Sequence, residues 1–299
     1  MLKVLIWIVS NDSRFFQGAM SILERQHNGL EVIGVTANEE IGLVKDGRNV
    51  PFIPLARLTG GGFDIILVVG ARQFGMSQIT QAARQLNLPE EKLLGDWIVC
   101  IPGFTLEKYR RLQRSRLSIF SSFCFGGFIS NMLGLQFRSP FINLAIGEQE
   151  YIKLLRAPRI YMEEQFYFKK TGFERNLKRD FPIVTLGNVD ISMNHDTDFN
   201  EAVEKWNRRK TRINWYNLFV TMATESEEIL EEFDALPYGK KVCFVPFKSD
   251  LDSAWYINPE IHKGLPFWDV VNHFCFGNPF YYDPFDMLIY GKKTPLIDM

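Results

Sequence analysis

The residue best suited to nucleophilic chemistry is Cys124, which lies between a predicted strand and a predicted helix. This is the place of the nucleophile in a nucleophile elbow, and a helix N-terminus lowers the pKa of a thiol. Gly126 and Gly127 follow, and they would let a substrate approach the backbone closely. The alternative is structural: Cys124 is a small buried hydrophobic residue, and the glycines allow tight packing of the helix on the strand. The pattern predicts either a nucleophile or a packing motif.

A second candidate is His195, in a segment at a predicted strand end that is crowded with carboxylates from Asp190 to Asp198. Such neighbours raise the pKa of a histidine and suit it to general acid–base catalysis, so we predict catalytic roles for His195 and Asp190. Asp190, Asp196 or Asp198 could also hold a divalent cation beside His195. The spacing matches no standard metal motif, and Asp198 is also an ordinary helix cap. We therefore assign no metal ligand.

Several residues are candidates for ligand binding. Arg208 and Arg212 are four apart on one face of a predicted helix that also carries Trp206, and two guanidinium groups on one face can clamp a diphosphate. The alternative is that the acidic residues of this helix and of residues 225–234 pair with these arginines. The remaining ligand-binding candidates are Ser10, Gly70 and Arg72 in the first half and Asn143, Gly126 and Gly127 in the second.

Buried-strand patterns in the first half of the chain predict an α/β domain. Residues 3–9 and 63–70 are apolar runs, and a strand at 31–36, a helix at 77–86 and a further strand-like stretch at 97–101 complete the alternation. We expect a Rossmann-like three-layer domain. The turn after the first strand is Ser10-Asn11-Asp12-Ser13, without the glycines of a dinucleotide fingerprint, so classical dinucleotide binding is not predicted.

The second half alternates in the same way and predicts a second Rossmann-like domain. We expect strands at 117–122, 140–146, 181–187, 189–193, 217–222 and 241–247, and helices after Cys124 and at 148–155, 200–212 and 225–234. A basic helix at 106–116 separates the halves. The last fifty residues are rich in aromatic side chains. The expected organisation is a domain of residues 1–116, a domain of 117–250, and an aromatic-rich segment of 251–299 packed on the second domain.

Length and charge exclude several classes of protein. The 299 residues are about twice the roughly 150 of one domain. Since 34 Lys and Arg oppose 35 Asp and Glu, the net charge of −1 supplies no field for nucleic acid. No run approaches the roughly 18 apolar residues that cross a bilayer, so no transmembrane segment is expected. The four cysteines form no C-x-x-C pair, and we expect free buried thiols in a cytoplasmic protein, with one or two disulfides as the alternative. Homo-oligomer formation is left open.

Ordered blocks from about residue 121 to 247 resemble a bacterial family catalogued as domain of unknown function 1919. The blocks are residues 122–129 (Ser-Phe-Cys-Phe-Gly-Gly-Phe-Ile), 133–144, 199–214, 217–220 and 233–238. Members of this family are often labelled exopolysaccharide biosynthesis proteins. The first half resembles, less specifically, the nucleotide-binding modules attached to sugar-modifying enzymes.

The resemblance implies an enzyme of exopolysaccharide or surface-glycan biosynthesis, in the class of transferases acting on sugars. Its substrate would be an activated sugar or a glycan intermediate, bound near Cys124, Asn143, His195 and Arg208. The alternative is a non-catalytic protein that binds a nucleotide-sugar or serves as a scaffold in the same pathway. A nucleotide-sugar is the small-molecule ligand that both interpretations share, and the cofactor is left open.

Overall fold

The computed structural model describes residues 1–9, 14–15, 17–19, 30–45, 47–58, 61–70, 76–174, 178–258, 260, 265–273 and 281–296. The chain forms two compact units, Met1–Phe104 and Thr105–Met299. This division falls before the predicted boundary at residue 116, and it places both the basic helix and the aromatic-rich C-terminal segment in the second unit. Within the described part of the chain, no helix is long and apolar enough to cross a membrane.

The first unit is built on a parallel sheet of four strands. These are β1 (Leu2–Ile8), β2 (Leu30–Thr36), β5 (Ile65–Val69) and β6 (Leu93–Gly95), in the order β2-β1-β5-β6. This unit also contains a short antiparallel pair, β3 (Leu43–Lys45) and β4 (Arg48–Val50), and the helices α1 (Met76–Gln85) and α2 (Asp96–Val99). Every residue of β5 is buried, as expected for a continuous apolar strand inside a parallel sheet.

One prediction for the first unit is wrong. The strand-like stretch at 97–101 begins as α2, and the fourth strand is instead β6, immediately before it. The apolar side chains Ile98 and Val99 are buried from a helix rather than from a strand. Short apolar runs are ambiguous in this way, because periodicity alone does not separate a buried strand from a buried helix.

The second unit contains a parallel sheet and an antiparallel sheet. The parallel sheet consists of β7 (Ser118–Ser121), β12 (Leu218–Ala223), β13 (Lys241–Val245) and β14 (Ala254–Tyr256), in the order β14-β13-β12-β7. The antiparallel sheet consists of β8 (Ala145–Ile146), β9 (Phe166–Glu174), β10 (Arg179–Leu186) and β11 (Val189–Ser192), in the order β8-β11-β10-β9. The predicted α/β fold is confirmed, since parallel sheets and helices alternate along the chain.

Helices pack around these two sheets. They are α3 (Leu106–Arg114), α4 (Phe125–Met132), α5 (Glu148–Arg156), α6 (Pro158–Glu163), α7 (Phe199–Lys210), α8 (Glu227–Asp234), α9 (Phe267–His273) and α10 (Pro284–Tyr290). One apolar core includes side chains from α5, α7, α8 and both sheets. Its centre is aromatic: the ring of Phe141 lies 5.4 Å from that of Trp206 and 6.2 Å from that of Tyr151.

The antiparallel sheet was only partly predicted. The strand expected at 140–146 is reduced to the two residues of β8, because Asn143 adopts a left-handed backbone with a φ of +58° that interrupts an extended chain. The long strand β9 was missed altogether. Most of its residues are exposed on both faces, so it lacks the alternation of apolar and polar residues that marks a half-buried strand.

The aromatic C-terminal residues complete the second unit. Trp255 is buried, and its ring lies 4.6 Å from that of Tyr282 and 6.4 Å from that of Phe244 in β13. Ion pairs also connect α3 with α10. Lys108 Nζ in α3 lies 2.9 Å from Asp283 Oδ2 at the N-cap of α10 and 2.6 Å from Asp286 Oδ1 within it.

We predict that Lys108→Met lowers the free energy of unfolding by about 2 kcal/mol at neutral pH, because two mostly buried carboxylates lose their cation. Burial alone would raise the pKa of Asp286, but hydrogen bonds from Lys108 and Thr294 outweigh it and lower that pKa. The ion pair therefore stabilises the fold above about pH 4, and its contribution is lost on acidification through the lowered pKa. Urea unfolding at neutral pH and at about pH 3 measures both effects.

The matched control is Arg156→Met, which removes the more exposed ion pair to Glu232. It should cost less than about 1 kcal/mol. Equal destabilisation by the two substitutions would contradict the special role of Lys108.

Candidate functional site

Cys124 lies where a strand of the parallel sheet turns into a helix. β7 ends at Ser121, and Cys124 is the N-cap residue of α4. The hydroxyl of Ser121 holds the turn by donating to the carbonyl of Phe123 at 2.8 Å. The backbone of Cys124 is ordinary, with φ −63° and ψ −8°. The turn therefore has the predicted strand–helix position, but it lacks the strained backbone of a nucleophile elbow.

His195 reaches Cys124 through the antiparallel sheet. The amide of Ile146 in β8 donates to the carbonyl of Ser122 at 2.9 Å, and β8 pairs with β11 through Ile191. The turn after β11 is closed by a hydrogen bond from the amide of Asp196 to the carbonyl of Met193, and it presents His195. As a result, His195 Nε2 lies 3.4 Å from Cys124 Sγ, although the two residues are 71 positions apart in the sequence.

Burial dominates the ionisation of both side chains. It raises the pKa of the half-buried Cys124 thiol to about 11, and the negative charge of Glu174 adds to the effect. Burial and the positive charge of Arg179 lower the pKa of His195, against the opposing influence of Asp196 and Glu174. The expectations of a lowered thiol pKa and a raised histidine pKa are both wrong. At neutral pH the site holds a neutral thiol beside a neutral imidazole.

Sequence reasoning missed Glu174 and Arg179, which are cross-strand partners at the ends of β9 and β10. Arg179 Nη2 donates to the carbonyl of Asn194, next to His195, at 2.9 Å. Arg179 Nε and Asn194 Oδ1 are buried and have no hydrogen-bond partner within the described residues. Only the recognition of β9 as a strand would have predicted this pair. The site therefore contains a buried donor and a buried acceptor that a ligand or water could satisfy.

Asp190 does not join the pair in the described structure. It lies on β11, where its carboxylate accepts from Thr185 at 2.8 Å and pairs with Lys169. The hydrogen bonds from Lys169 and Thr185 lower the pKa of Asp190. Its role as a catalytic carboxylate stays a prediction, and these contacts favour a structural role.

The other carboxylates near His195 also have partners. Asp196 is buried and lies 2.6 Å from Lys205 Nζ, whereas Asp198 caps α7 by accepting from the amide of Glu201. Among the described residues, no group of three or more His, Cys, Asp or Glu side chains is placed to hold a metal ion.

The glycines after Cys124 make close contacts. A Cβ at Gly126 would lie 3.1 Å from the carbonyl oxygen of Phe141, and one at Gly127 would lie 1.9 Å from Asn143 Oδ1. Tight packing, the structural alternative for these glycines, is therefore present. The contact at Gly127 also places the Asn143 side chain against the first turn of the helix that Cys124 caps. The structure thus brings Cys124, Gly127, Asn143 and His195 into one neighbourhood.

The remaining candidates of the second unit lie elsewhere. Trp206 is in the core, where its ring is 4.7 Å from that of Phe166. Arg208 is exposed, and Arg212 donates to the carbonyl of Phe137 at 3.5 Å. Two of the expected acidic partners of these arginines pair with other residues: Glu201 pairs with Lys205, and Glu232 in α8 pairs with Arg156.

The predicted pocket of the first unit is described only in part, because Ser10 and Arg72 lie outside the described residues. Gly70 has a φ of +87°, and a Cβ there would lie 2.4 Å from the Phe15 ring. Its backbone conformation and this close approach both require glycine.

Comparison with known proteins assigns most of the chain to a protein family. Residues 99–290 match the family model described as Domain of unknown function (DUF1919). The chain belongs to the DUF1919 family. A related uncharacterized protein of Haemophilus influenzae is 30% identical over 182 residues, which cover 59% of this chain and 84% of the relative. Cys124, Asn143, Glu174, Arg179 and His195 all lie inside the DUF1919 match.

We predict that Gly127→Ala destabilises this DUF1919 protein by about 1–3 kcal/mol, because the new methyl group displaces Asn143. Asn143→Gly should compensate in the double variant, since glycine removes the obstacle and suits the positive φ. Urea unfolding of the single and double variants measures the coupling. The control is Gly239→Ala, where no atom lies within 4 Å of the new Cβ. Additive effects of the two substitutions would contradict the contact.

Alkylation tests the electrostatics of the thiol. Because a pKa of about 11 leaves little thiolate at neutral pH, Cys124 should react with iodoacetamide more slowly than the exposed Cys100 at about pH 7.5. Its rate should rise with pH up to about 11. Glu174→Gln should accelerate the reaction a few-fold by removing a negative charge, and the exposed Glu163→Gln is the matched control. Peptide mass spectrometry measures each site. Faster alkylation of Cys124 than of Cys100 would contradict the raised pKa.

Proposed function

We propose that this DUF1919 protein is an enzyme that transfers an acyl group to or from a sugar, with Cys124 as nucleophile and His195 as general base. The observation that carries the proposal is the 3.4 Å separation between Cys124 Sγ and His195 Nε2. A thiol within reach of an imidazole nitrogen is the arrangement that cysteine enzymes use for covalent catalysis at acyl carbons.

The ionisation of the pair is compatible with this chemistry. A lowered pKa keeps His195 neutral at physiological pH, so that Nε2 can accept the thiol proton as sulfur attacks the acyl carbon. The carbonyl π electrons move to oxygen, and the tetrahedral intermediate then expels the leaving group, which takes the proton back from His195. An acceptor hydroxyl attacks the resulting thioester while His195 removes its proton. A second collapse releases the acylated product and the Cys124 thiol.

The substrate class rests on the family resemblance together with the surroundings of the site. We propose an activated sugar or glycan intermediate of exopolysaccharide or surface-glycan biosynthesis, with a nucleotide-sugar as one such ligand. Residue His195 is partly exposed to solvent, which gives a substrate access to the half-buried thiol. Arg179 Nε and Asn194 Oδ1, a buried donor and a buried acceptor without a hydrogen-bond partner among the described residues, add polar character next to His195. The free thiols Cys100, Cys124 and Cys243 fit action in the cytoplasm.

A second candidate function is non-catalytic binding of a nucleotide-sugar or a pathway partner. The raised thiol pKa favours it, because a thiol that is almost fully protonated is a weak nucleophile. In this alternative Cys124 and Asn143 only shape a binding surface, and ligand binding occurs without turnover.

The experiment that separates the two functions is trapping of an acyl-enzyme. With acetyl-coenzyme A and p-nitrophenyl acetate as donors, intact-mass spectrometry should show one acetyl group, which peptide mapping places on Cys124. Cys124→Ala should abolish the adduct, and His195→Gln should slow its formation about a hundredfold. The rate should rise with pH through an apparent pKa below 6.5, as His195 loses its proton.

The control is Cys100→Ser, which changes an exposed thiol and should leave the adduct intact. An adduct that persists in Cys124→Ala would refute the proposed nucleophile. Thermal stabilisation by nucleoside diphosphate sugars, without an acyl-enzyme or turnover with any donor, would favour the binding function.

A further inference from the structure

A group of arginines lies at the other end of β7, before the strand begins. Arg116 precedes Ser118, the first residue of β7, and Arg138 is held beside the same residue because Ser118 Oγ donates to the Arg138 carbonyl at 2.6 Å. Arg212 joins them through its hydrogen bond to the carbonyl of Phe137, the neighbour of Arg138. The positive charges of Arg116 and Arg212 both act on Arg138, so three cationic side chains from distant parts of the chain lie near one another.

The backbone under these arginines is fixed by buried hydrogen bonds. Ser118 is fully buried, and its hydroxyl oxygen accepts from the amide of Asn214 at 2.8 Å. The side-chain amide of Asn214 donates to the Arg116 carbonyl at 3.1 Å. Arg116 adopts a left-handed φ of +51°, which is unusual for a residue with a long side chain. The positions of Arg116 and Arg138 are therefore set by the fold.

The three cations have no carboxylate partner among the described residues. Within the part of the chain that the structure describes, Arg116, Arg138 and Arg212 form no ion pair. Burial and the positive charges of Arg116 and Arg212 lower the pKa of Arg138, although an arginine keeps its proton at neutral pH. The cluster thus has repulsion that a bound anion would relieve.

A cavity adjoins this cluster. Its volume is about 190 Å³, and Arg116, Arg138, Gln113 and Gln136 line it. Pockets that enclose a whole small ligand measure about 300–1,000 Å³, so this cavity suits one group of a ligand. Arginine and glutamine side chains supply hydrogen-bond donors, and guanidinium groups match the geometry of phosphate oxygens.

We infer that Arg116 and Arg138, which line the cavity, together with Arg212 beside them, form a binding site for the phosphate group of a small-molecule ligand. The site is separate from the Cys124–His195 pair and does not depend on the acyl transfer proposed for it. The phosphate oxygens accept hydrogen bonds from the guanidinium groups, and the remainder of the ligand extends from the cavity into solvent.

The test is phosphate binding by the full chain and by charge-matched variants. Isothermal titration with inorganic phosphate, glucose 1-phosphate and uridine diphosphate should show saturable binding of at least one of them. Arg138→Gln and Arg212→Gln should each weaken that binding about tenfold or more. Arg114→Gln is the control and should bind like the parent protein, because Arg114 is exposed, does not line the cavity and, unlike Arg212, is not among the positive charges that lower the pKa of Arg138.

A second readout separates a binding role from a structural one. Without ligand, Arg138→Gln should melt at the same temperature as the parent protein or higher, because it removes a repelled cation. Arg116→Gln serves as an independent variant if Arg138→Gln does not fold. Tighter binding of the phosphosugar than of phosphate identifies an organic phosphate as the ligand, and the reverse order identifies free phosphate.

Three results would overturn the inference. One is the absence of saturable binding of any of the three probes. Another is equal weakening in Arg114→Gln and Arg138→Gln, which indicates general electrostatic attraction. The last is a combination of two observations: the small phosphates do not bind, and a single-stranded oligonucleotide binds with an affinity that all these arginine variants weaken alike. That combination indicates a nucleic-acid surface.

Discussion

The hydrogen bond from the Ile146 amide to the Ser122 carbonyl is the contact on which the candidate site depends. It attaches the antiparallel sheet to the turn that follows β7, and only through β8 and β11 does His195 come beside Cys124. This hydrogen bond is possible because the chain turns at Asn143, where the positive φ ends the preceding loop. The Asn143 side chain then lies against Gly127. Backbone geometry, rather than side-chain attraction, thus creates the pair.

Burial then decides the chemistry of the pair. A helix N-terminus favours a thiolate by at most a few kcal/mol, and this advantage fades when the thiol is removed from water and faces Glu174. Partial burial of the imidazole and the positive charge of Arg179 also lower the pKa of His195, which keeps the ring neutral while the residue retains contact with solvent. A neutral pair is less reactive toward adventitious electrophiles than an ion pair, and its nucleophile has a high intrinsic reactivity once the proton moves. The site is therefore suited to general-base activation during the reaction.

The elements that were predicted correctly are those with a strong sequence pattern, either a continuous apolar run or a clear helix cap. The apolar runs of β1 and β5 and the capped helix α7 were recognised, because continuous apolar stretches and an Asp cap have few alternative explanations. The exposed strand β9 carries no such signal, and with it Glu174 and Arg179 were missed. Cys124 and His195 were each selected as candidates by residue type and local context, and their roles stay predictions. Their contact could not be derived, because it depends on a pairing between β8 and β11 that leaves no periodic pattern in a two-residue strand.

The two groups of polar residues occupy opposite ends of β7. Arg116 lies before the amino end of the strand, and Cys124 follows its carboxyl end. Ligands of open α/β sheets usually bind at the carboxyl ends of the strands, where loops are free to carry functional groups. The Cys124–His195 pair follows this rule. The arginine cluster departs from this rule, because it lies at the amino end of β7. Hydrogen bonds of the buried Ser118 hold the backbone of the cluster.

The two sites are separated by the length of β7. Because β7 has only four residues and a strand rises about 3.3 Å per residue, its two ends lie roughly 10 Å apart. The arginine cluster and the thiol therefore lie beyond opposite ends of β7, which argues that the two sites serve different ligands or different steps.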